Sequence, residues 1–239
     1  YKELEKNLHN IDVVFHFAGA SDLNQLLNLP LESAELNIIG TLNVLQAMKK
    51  NKIRHIVYAS TLYTFSRDGG FYRCSKQASE EYIREFYKQF KINYTILRFG
   101  SLYGPRSNST NGMWRIVDSA INNSKIVYEG DPETRREYIH VIDAAEAAIN
   151  SLNDKNFKNK EITITGNQSV KVIDLLNMIN EIMGSNKKII FKKNTYKGHY
   201  KLTPYSNNHS FQKKYIPNFS IDLGQGIMDL INEISNVKK

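Results

Sequence analysis

The chain has 239 residues, which is enough for one large α/β domain or for one domain with a smaller lobe. Hydrophobic residues make up 41% of it, so it can bury a core, and its single cysteine excludes an internal disulfide. No run approaches the roughly 18 apolar residues of a membrane span. A lone cysteine fits a reducing compartment, and we expect a cytoplasmic protein.

The formal net charge is +8, and the positive charge is unevenly distributed. No acidic residue lies between Glu181 and Asp222, while eight lysines do: Lys187, Lys188, Lys192, Lys193, Lys197, Lys201, Lys213 and Lys214. This basic block, residues 187–214, either favours a phosphate-bearing partner or forms a solvated face of a lysine-rich chain.

Strand and helix patterns alternate through the first part of the chain. Continuous apolar runs at 11–20, 53–61 and 92–100 are typical of buried parallel strands. Between them, apolar residues recur at helical spacing over 31–50 and 72–90. Strands that alternate with helices of crossover length predict an α/β fold with a doubly wound parallel sheet.

The pattern changes after a turn-rich segment at 101–106, where the elements become shorter. Periodicity predicts four helices, over 112–123, within 136–152, and over 171–183 and 222–236. Short β-type runs at 125–130 and 160–166 predict two further strands. These shorter elements are consistent with a smaller lobe over the carboxyl edge of the sheet.

The segment "FYRCSK" places Tyr72 four residues before Lys76, so a helix over 72–90 puts both on the same face. A nearby ammonium lowers the pKa of a phenol, ordinarily about 10, and makes it usable for proton transfer near neutral pH. The strand before it ends at Ser60 and Thr61, and such strand ends face the ligand crevice of a parallel sheet. Taken alone, however, the spacing also fits a helix-start aromatic residue beside a surface lysine.

Six segments, in order between Val14 and Ala147, favour the catalytic interpretation: "HFAGA", "NIIGT", "YAST", "YRCSK", "LRFGSLYGPR" and "RREYIHVIDAAEA". Together they resemble the extended short-chain dehydrogenase/reductases, in the NAD-dependent epimerase/dehydratase group that acts on nucleotide sugars. The resemblance implies a Rossmann-like sheet, a nucleotide-sugar substrate and NAD as cofactor, with NADP not excluded. It also implies that residues 1–107 are part of a dinucleotide-binding domain. Residues 108–239 are then mainly a substrate-binding lobe, with segments that return to the sheet.

The resemblance also implies roles for individual residues. Tyr72 would be the catalytic acid/base, Lys76 would lower its pKa and hold the nicotinamide ribose, and Thr61 would orient the sugar oxygen. Three residues would lie close to the cofactor: Ala18, Gly19 and Ser60. Tyr72 and Lys76 would contact the cofactor as well.

On the substrate side, the resemblance implies that Arg136 meets the nucleotide diphosphate, because Arg favours bidentate phosphate recognition. A surface arginine beside Arg135 is the alternative. Ser101 stands where the family often has Asn near the sugar, so the identity of the sugar is left open. Asn37 is expected to tie a helix to the sheet rather than to touch substrate.

The family opens with a strand, a glycine-rich turn that cradles a diphosphate, and two more strands. The present sequence matches from about the fourth strand onward, and we expect it to be a piece of a longer enzyme. The run "DVVFHF" would then lie at an edge of the sheet.

These features favour an epimerase or reductase that works through a transient keto sugar. A dehydratase is less favoured, because Leu62 and Tyr63 follow Thr61 where sugar dehydratases usually carry Asp-Glu. The alternative is an RNA-binding protein on the same fold, which would use the basic block and four aromatic residues for stacking: Phe191, Tyr196, Tyr200 and Tyr205. The family also commonly forms a homodimer, through the helices at 37–50 and 72–90.

Overall fold

The computed structural model describes residues 1–193, 198–204, 214–215 and 220–236. These residues contain ten β-strands: β1 Val13–His16, β2 His55–Thr61, β3 Asn93–Phe99, β4 Ser101–Tyr103, β5 Lys125–Glu129, β6 Arg135–His140, β7 Lys160–Ile164, β8 Ser169–Lys171, β9 Lys188–Lys192 and β10 Lys214–Tyr215. They also contain nine α-helices: α1 Lys2–Asn7, α2 Leu23–Leu26, α3 Pro30–Ser33, α4 Gly40–Lys50, α5 Gly70–Phe90, α6 Gly112–Asn122, α7 Val141–Asn150, α8 Val172–Ile182 and α9 Leu223–Asn236. A π-helical turn, Ala34–Ile39, leads into α4, and a 3-10 turn, Leu62–Phe65, follows β2.

The larger sheet is parallel, as the apolar runs predict. Its strand order is β1-β2-β3-β7-β10, and each neighbouring pair runs in the same direction. The register of β2 with β3 extends from His55 opposite Asn93 to Thr61 opposite Phe99. Strand β1 lies at an edge of the sheet, as expected, and the side chain of Phe15 on it is 42% exposed.

Helices cover both faces of this sheet. Successive strand residues point to opposite faces, so one strand contributes to the core on each side. Ile56 and Tyr58 of β2 are buried in a core with residues of α4 and α5. Val57, between them, is buried in a second core with Ala144 and Ala147 of α7. The predicted doubly wound α/β architecture is confirmed.

A separate apolar core lies among later elements of the chain. Its buried residues come from α6, β5, α8 and α9: Met113, Val117, Ala120, Ile126, Val172, Leu175, Leu176, Ile179, Ile227, Leu230 and Ile234, together with Tyr103 of β4. Strands β5 and β9 pair in parallel beside it. By contrast, β7 and β10 lie in the larger sheet, so the later part of the chain contributes to both cores.

One local prediction is wrong. Residues 101–106, predicted as a turn-rich loop, begin with strand β4, which pairs with β6 from Ser101 opposite Tyr138 to Tyr103 opposite His140. The helix predicted within 136–152 is α7, Val141–Asn150, and strand β6 precedes it. The pairing of β4 with β6 joins distant parts of the chain, which local periodicity does not reveal.

A buried ion pair fixes α5 against the larger sheet. The Glu80 carboxylate accepts hydrogen bonds from Nε and Nη2 of Arg98 on β3, at 2.9 and 2.5 Å. It also accepts a hydrogen bond from the Ser60 hydroxyl of β2 at 2.5 Å. The side chains of Glu80 and Arg98 are only 2% and 7% exposed, so each charge depends on the other for compensation.

We expect Arg98→Met to lower the free energy of unfolding by about 3–5 kcal/mol, because it removes the closer cation of the buried Glu80 carboxylate and leaves Arg84 at 3.5 Å. Urea denaturation would measure this. The control is Lys88→Met on α5, the helix that carries Glu80. It removes an exposed pair with Glu85 and should cost less than about 1 kcal/mol. Equal effects of the two substitutions would contradict the structural importance of the buried pair.

Candidate active site

The carboxyl ends of β1 and β2 and the start of α5 meet at one edge of the larger sheet. Thr61 is the last residue of β2, and Gly19 follows β1. Tyr72 and Lys76 lie on the first turns of α5, on the face that packs on the sheet. The structure therefore brings these four predicted site residues to one place, as expected for the ligand edge of a parallel sheet.

Tyr72 is buried, with 8% of its surface exposed. This burial raises the pKa of Tyr72 to about 12, and a hydrogen bond with Thr61 acts in the opposite direction. We predicted that Lys76 would lower this pKa, and the structure differs. The Lys76 ammonium is directed elsewhere, so burial dominates and Tyr72 is a neutral phenol at neutral pH.

Lys76 is 5% exposed, and its ammonium donates a hydrogen bond of 2.9 Å to the carbonyl oxygen of Ala59. The ammonium also lies 4.7 Å from the centre of the Tyr58 ring. Burial lowers the pKa of Lys76 to about 8, while the nearby Glu80 carboxylate raises it. Lys76 is therefore mostly charged at pH 7, which suits a residue that holds a ribose hydroxyl.

The loop after β1 leaves no room for a side chain at Gly19. A Cβ there would lie 2.6 Å from Oδ1 of Asn37 and 3.7 Å from Nζ of Lys76, and the backbone φ of +154° favours glycine. Asn37 is held in the π-helical turn, where its side-chain amide bonds both the N–H and the carbonyl oxygen of Ala20. The expected role of Asn37 as a tie agrees with these contacts.

The surroundings of Gly19 fit a dinucleotide at this edge. The exposed backbone of Ala18 and Gly19 lies beside a buried ammonium, and the absence of a Cβ keeps the approach to Lys76 open. Ser60 is 4% exposed and its hydroxyl donates to the Glu80 carboxylate of α5, so its role beside the cofactor stays a prediction. Ala18, Gly19 and Lys76 are therefore the residues present that would hold such a cofactor.

Ser101 and Arg136 meet at Tyr200 rather than at Tyr72. The Arg136 guanidinium lies 4.4 Å from the centre of the Tyr200 ring, and its Nη1 donates to the carbonyl oxygen of Arg135. Tyr200 also shares a hydrogen bond with Ser101. The Tyr200 ring lies 4.7 Å from that of Tyr63, so these residues reach the Tyr72 site through aromatic contacts.

Four further residues lie around this site without a role predicted for them there: Tyr63, Glu80, His199 and Tyr200. The Tyr63 ring packs edge-on against Tyr72, at 6.2 Å between centres, and its hydroxyl shares a hydrogen bond of 2.7 Å with Nδ1 of His199. Only Glu80 had a sequence signal, since it continues the row Tyr72, Lys76 at a spacing of four. Nothing in the sequence pairs Tyr63 with His199.

The described part of the basic block, residues 187–193, 198–204 and 214, does not show the features expected for stacking on RNA. Tyr200 is 6% exposed, so the prediction of an exposed stacking ring is wrong there, and Phe191 packs against the core of the smaller lobe. The Lys214 ammonium pairs with Glu137 at 3.0 Å. Tyr196 and Tyr205 lie outside the described residues.

Within the described ranges, no group of three or more His, Cys, Asp or Glu side chains is arranged to hold a metal ion. Over the same ranges, none of the helices has the length and apolar character needed to cross a membrane.

The curated relatives of this chain include sugar-nucleotide enzymes. A putative UDP-glucose 4-epimerase of Methanocaldococcus jannaschii is 27% identical over 211 residues, which cover 80% of this chain and 68% of that protein. A UDP-N-acetyl-alpha-D-glucosaminuronate decarboxylase of Bacillus cytotoxicus is 27% identical over 213 residues, or 78% of this chain and 65% of its own length. The chain thus spans about two thirds of the length of these two relatives.

Solved structures agree in fold. The UDP-glucose 4-epimerase of Thermotoga maritima, with UDP-glucose, matches with a TM-score of 0.85 at 21% identity, covering 100% of this chain and 82% of its own. The UDP-glucuronic acid 4-epimerase of Bacillus cereus, in complex with UDP-glucuronic acid and NAD, matches with a TM-score of 0.85 at 22% identity, covering 98% of this chain and 79% of its own. At this level of identity, the likeness supports the fold alone.

The model of one protein family matches residues 1–165, well over half of the chain, and this segment contains all of the predicted site residues. The family is one of enzymes whose cofactor is NAD, in agreement with the resemblance of the six ordered segments. The chain belongs to the NAD dependent epimerase/dehydratase family.

Proposed function

We propose that this chain carries the acid–base site of an enzyme that epimerises or reduces a nucleotide-activated sugar through a transient keto sugar. The observation that carries the proposal is the meeting of Thr61, Tyr72 and Lys76 at one strand edge, beside the open backbone of Gly19. Among relatives, the putative UDP-glucose 4-epimerase of Methanocaldococcus jannaschii supports an epimerase acting on a UDP-sugar.

Tyr72 moves the proton in this proposal. Its phenoxide accepts the proton of a sugar hydroxyl as that carbon is oxidised, and its phenol returns the proton when the keto oxygen is reduced. When bound, NAD would supply the acceptor and donor of the hydride that leaves and returns to the sugar carbon. Return to the other face gives the epimer, so the sugar is first oxidised and then reduced with no net change of electrons.

Burial holds Tyr72 as a neutral phenol, so ionisation needs a positive charge nearby. A bound oxidised nicotinamide would supply that charge, because the Lys76 ammonium is directed at the Ala59 carbonyl. Thr61 is the neighbouring hydroxyl that orients the sugar oxygen. Arg136 and Ser101 are the proposed contacts to the diphosphate and to the sugar, and Lys76, Ala18 and Gly19 are the proposed contacts to NAD.

The second candidate, an RNA-binding protein, has less support, because the described aromatic residues of the basic block are packed inward. The cytoplasmic location and the two-domain division at residue 107 stay predictions.

We also propose that two copies of the chain pair through α4 and α5, as the family commonly does. An exposed stripe on α5 contains Phe71, Cys74 and Tyr82, and the adjacent π-helical turn exposes Leu36 and Ile39. Four of these side chains are 42–50% exposed: Phe71, Tyr82, Leu36 and Ile39. A second copy with the same stripe would cover them by a two-fold, self-complementary contact.

Tyr72→Phe tests the acid–base role. It keeps the ring and removes the ionisable hydroxyl, so turnover of UDP-glucose or UDP-glucuronic acid should fall by at least about 100-fold. The rate of product formation, measured at saturating NAD, would show this. The conservative control is Tyr87→Phe, at the far end of α5, which should retain the normal rate. A Tyr72→Phe protein with wild-type turnover would exclude Tyr72 as the acid/base.

The lowered pKa of Lys76 predicts a pH dependence of stability. The unfolded lysine loses its proton near pH 10.5 and the folded one near pH 8, so between these values the unfolded chain holds more protons. The free energy of unfolding should therefore rise with pH, by about 2 kcal/mol between pH 8 and pH 10 for this group. Below pH 8 the cost of burying the ammonium is present in full.

Urea denaturation of the wild type and of Lys76→Met at pH 7, 8, 9 and 10 would isolate this contribution. The wild type should gain stability relative to Lys76→Met as the pH rises. Measurements stop at pH 10 because of Tyr72. Its raised pKa means that, at higher pH, the tyrosine ionises in the unfolded chain before it does so in the folded protein, and this lowers the free energy of unfolding. A constant difference between the two proteins would show that the folded lysine titrates normally.

Tyr82→Glu tests the dimer, because it places a charge within the exposed stripe. Light scattering should show the mass of two chains for the wild type and of one chain for Tyr82→Glu. The control is Ile149→Asp on α7, which alters a side chain that is 58% exposed but lies off the stripe, and should leave the mass unchanged. A wild-type protein with the mass of one chain at micromolar concentration would refute the pairing.

A further inference from the structure

A short piece of the chain, residues 198–201, joins the start of α5 to strand β6, and we call it the bridging segment. The N–H of Gly69 donates a hydrogen bond of 3.0 Å to the carbonyl oxygen of Gly198. At the other end, the N–H of Arg135 donates one of 3.0 Å to the carbonyl oxygen of Lys201. Backbone contacts therefore fix both ends of the bridging segment, one beside the Tyr72 helix and one on the substrate side.

The two side chains in the middle of the bridging segment both contact Tyr63. His199 shares the 2.7 Å hydrogen bond between its Nδ1 and the Tyr63 hydroxyl. Tyr200 is buried, and its ring centre lies 4.7 Å from that of Tyr63. Tyr63 is thus the residue of the sheet edge to which the bridging segment is attached by side chains.

Tyr63 also contacts both candidate reacting hydroxyl residues. Its ring packs edge-on against Tyr72, with an angle of 73° between the ring planes. Its backbone N–H donates to the Thr61 hydroxyl at 3.3 Å. Gly69 makes this position possible, since a Cβ there would lie 2.7 Å from Cδ1 of the Tyr63 ring. The glycine has a φ of +95°, so a side chain would be strained there as well.

We propose that Tyr63 is a positioning residue for the reaction: its ring sets the position of the Tyr72 phenol, and its hydroxyl fastens the bridging segment over that phenol through His199. This proposal rests on the proposed function of Tyr72. In this proposal, Tyr63 connects Tyr72 to the substrate side of the site, where the Arg136 guanidinium lies over the Tyr200 ring.

Tyr63→Phe is the informative variant, because it keeps the ring against Tyr72 and removes only the bond to His199. We expect kcat to fall by roughly three- to ten-fold, the worth of one hydrogen bond, with a smaller change in KM. Loosening of the bridging segment should also admit water to Tyr72. The pH at which kcat/KM is half-maximal should then move downward, because burial is what raises the pKa of that phenol.

His199→Phe and the double variant Tyr63→Phe/His199→Phe complete a cycle. If the two residues act through their shared hydrogen bond, the double variant should be no slower than the slower single variant. Additive losses would overturn the proposed link. Tyr87→Phe again serves as the control for loss of a tyrosine hydroxyl.

A second measurement does not depend on turnover. Brief digestion with trypsin cleaves after Lys201, which is exposed at the end of the bridging segment. Mass spectrometry should show faster cleavage there in Tyr63→Phe than in the wild type. Cleavage after the exposed Lys155, in the turn after α7, is the internal reference and should be unchanged.

These outcomes separate the proposal from the function on which it rests. Equal cleavage after Lys201 in Tyr63→Phe and in the wild type would overturn the fastening role, whatever the turnover. Faster cleavage together with unchanged kcat and an unchanged pH profile would overturn the positioning role. A fully active Tyr72→Phe would instead refute the function of Tyr72, even where the cleavage result supports the fastening by Tyr63.

Discussion

The structure depends on the burial of three polar side chains in a row on helix α5. Tyr72, Lys76 and Glu80 follow one another at a spacing of four, so all three point from the same helix face into the sheet. Burial of charged and hydroxyl groups is unfavourable unless each finds a partner. Glu80 meets Arg98, Lys76 meets the Ala59 carbonyl, and Tyr72 meets Thr61, so the sheet edge supplies a partner for every member.

The same burial determines the protonation states that the chemistry starts from. It raises the pKa of Tyr72 and lowers that of Lys76, so it disfavours the charged form of both groups. Glu80 opposes the effect on Lys76, and the ammonium therefore persists at neutral pH. Among the described residues, no carboxylate or ammonium is a direct partner of Tyr72, because the Lys76 ammonium donates to the Ala59 carbonyl. An ionised Tyr72 thus requires charge that comes with a ligand, so the proposed proton transfer would depend on cofactor binding.

Much of this arrangement could be predicted from the sequence, because it depends on local patterns. The apolar runs predicted the strands β2 and β3, and the helical spacing after Gly70 placed Tyr72 and Lys76 on one face. Other features depend on pairs of residues far apart in the chain. The direction of the Lys76 ammonium, the bond of Ser60 to Glu80 and the pairing of β4 with β6 follow from packing, which no single segment encodes.

The contacts of Tyr200 show why the substrate side of the site is harder to predict than the sheet edge. Arg136 was predicted as a contact to phosphate, and in the structure its guanidinium lies over the Tyr200 ring while Tyr200 packs on Tyr63. A guanidinium over an aromatic face is attracted by the ring. The N–H groups at the edge of the guanidinium can still donate hydrogen bonds. Arg136 is therefore oriented by a residue that itself contacts the Tyr72 neighbourhood. Because one chain of aromatic contacts joins the proposed phosphate contact to the proposed acid/base, Tyr72, we expect a change at either end to alter the packing at the other.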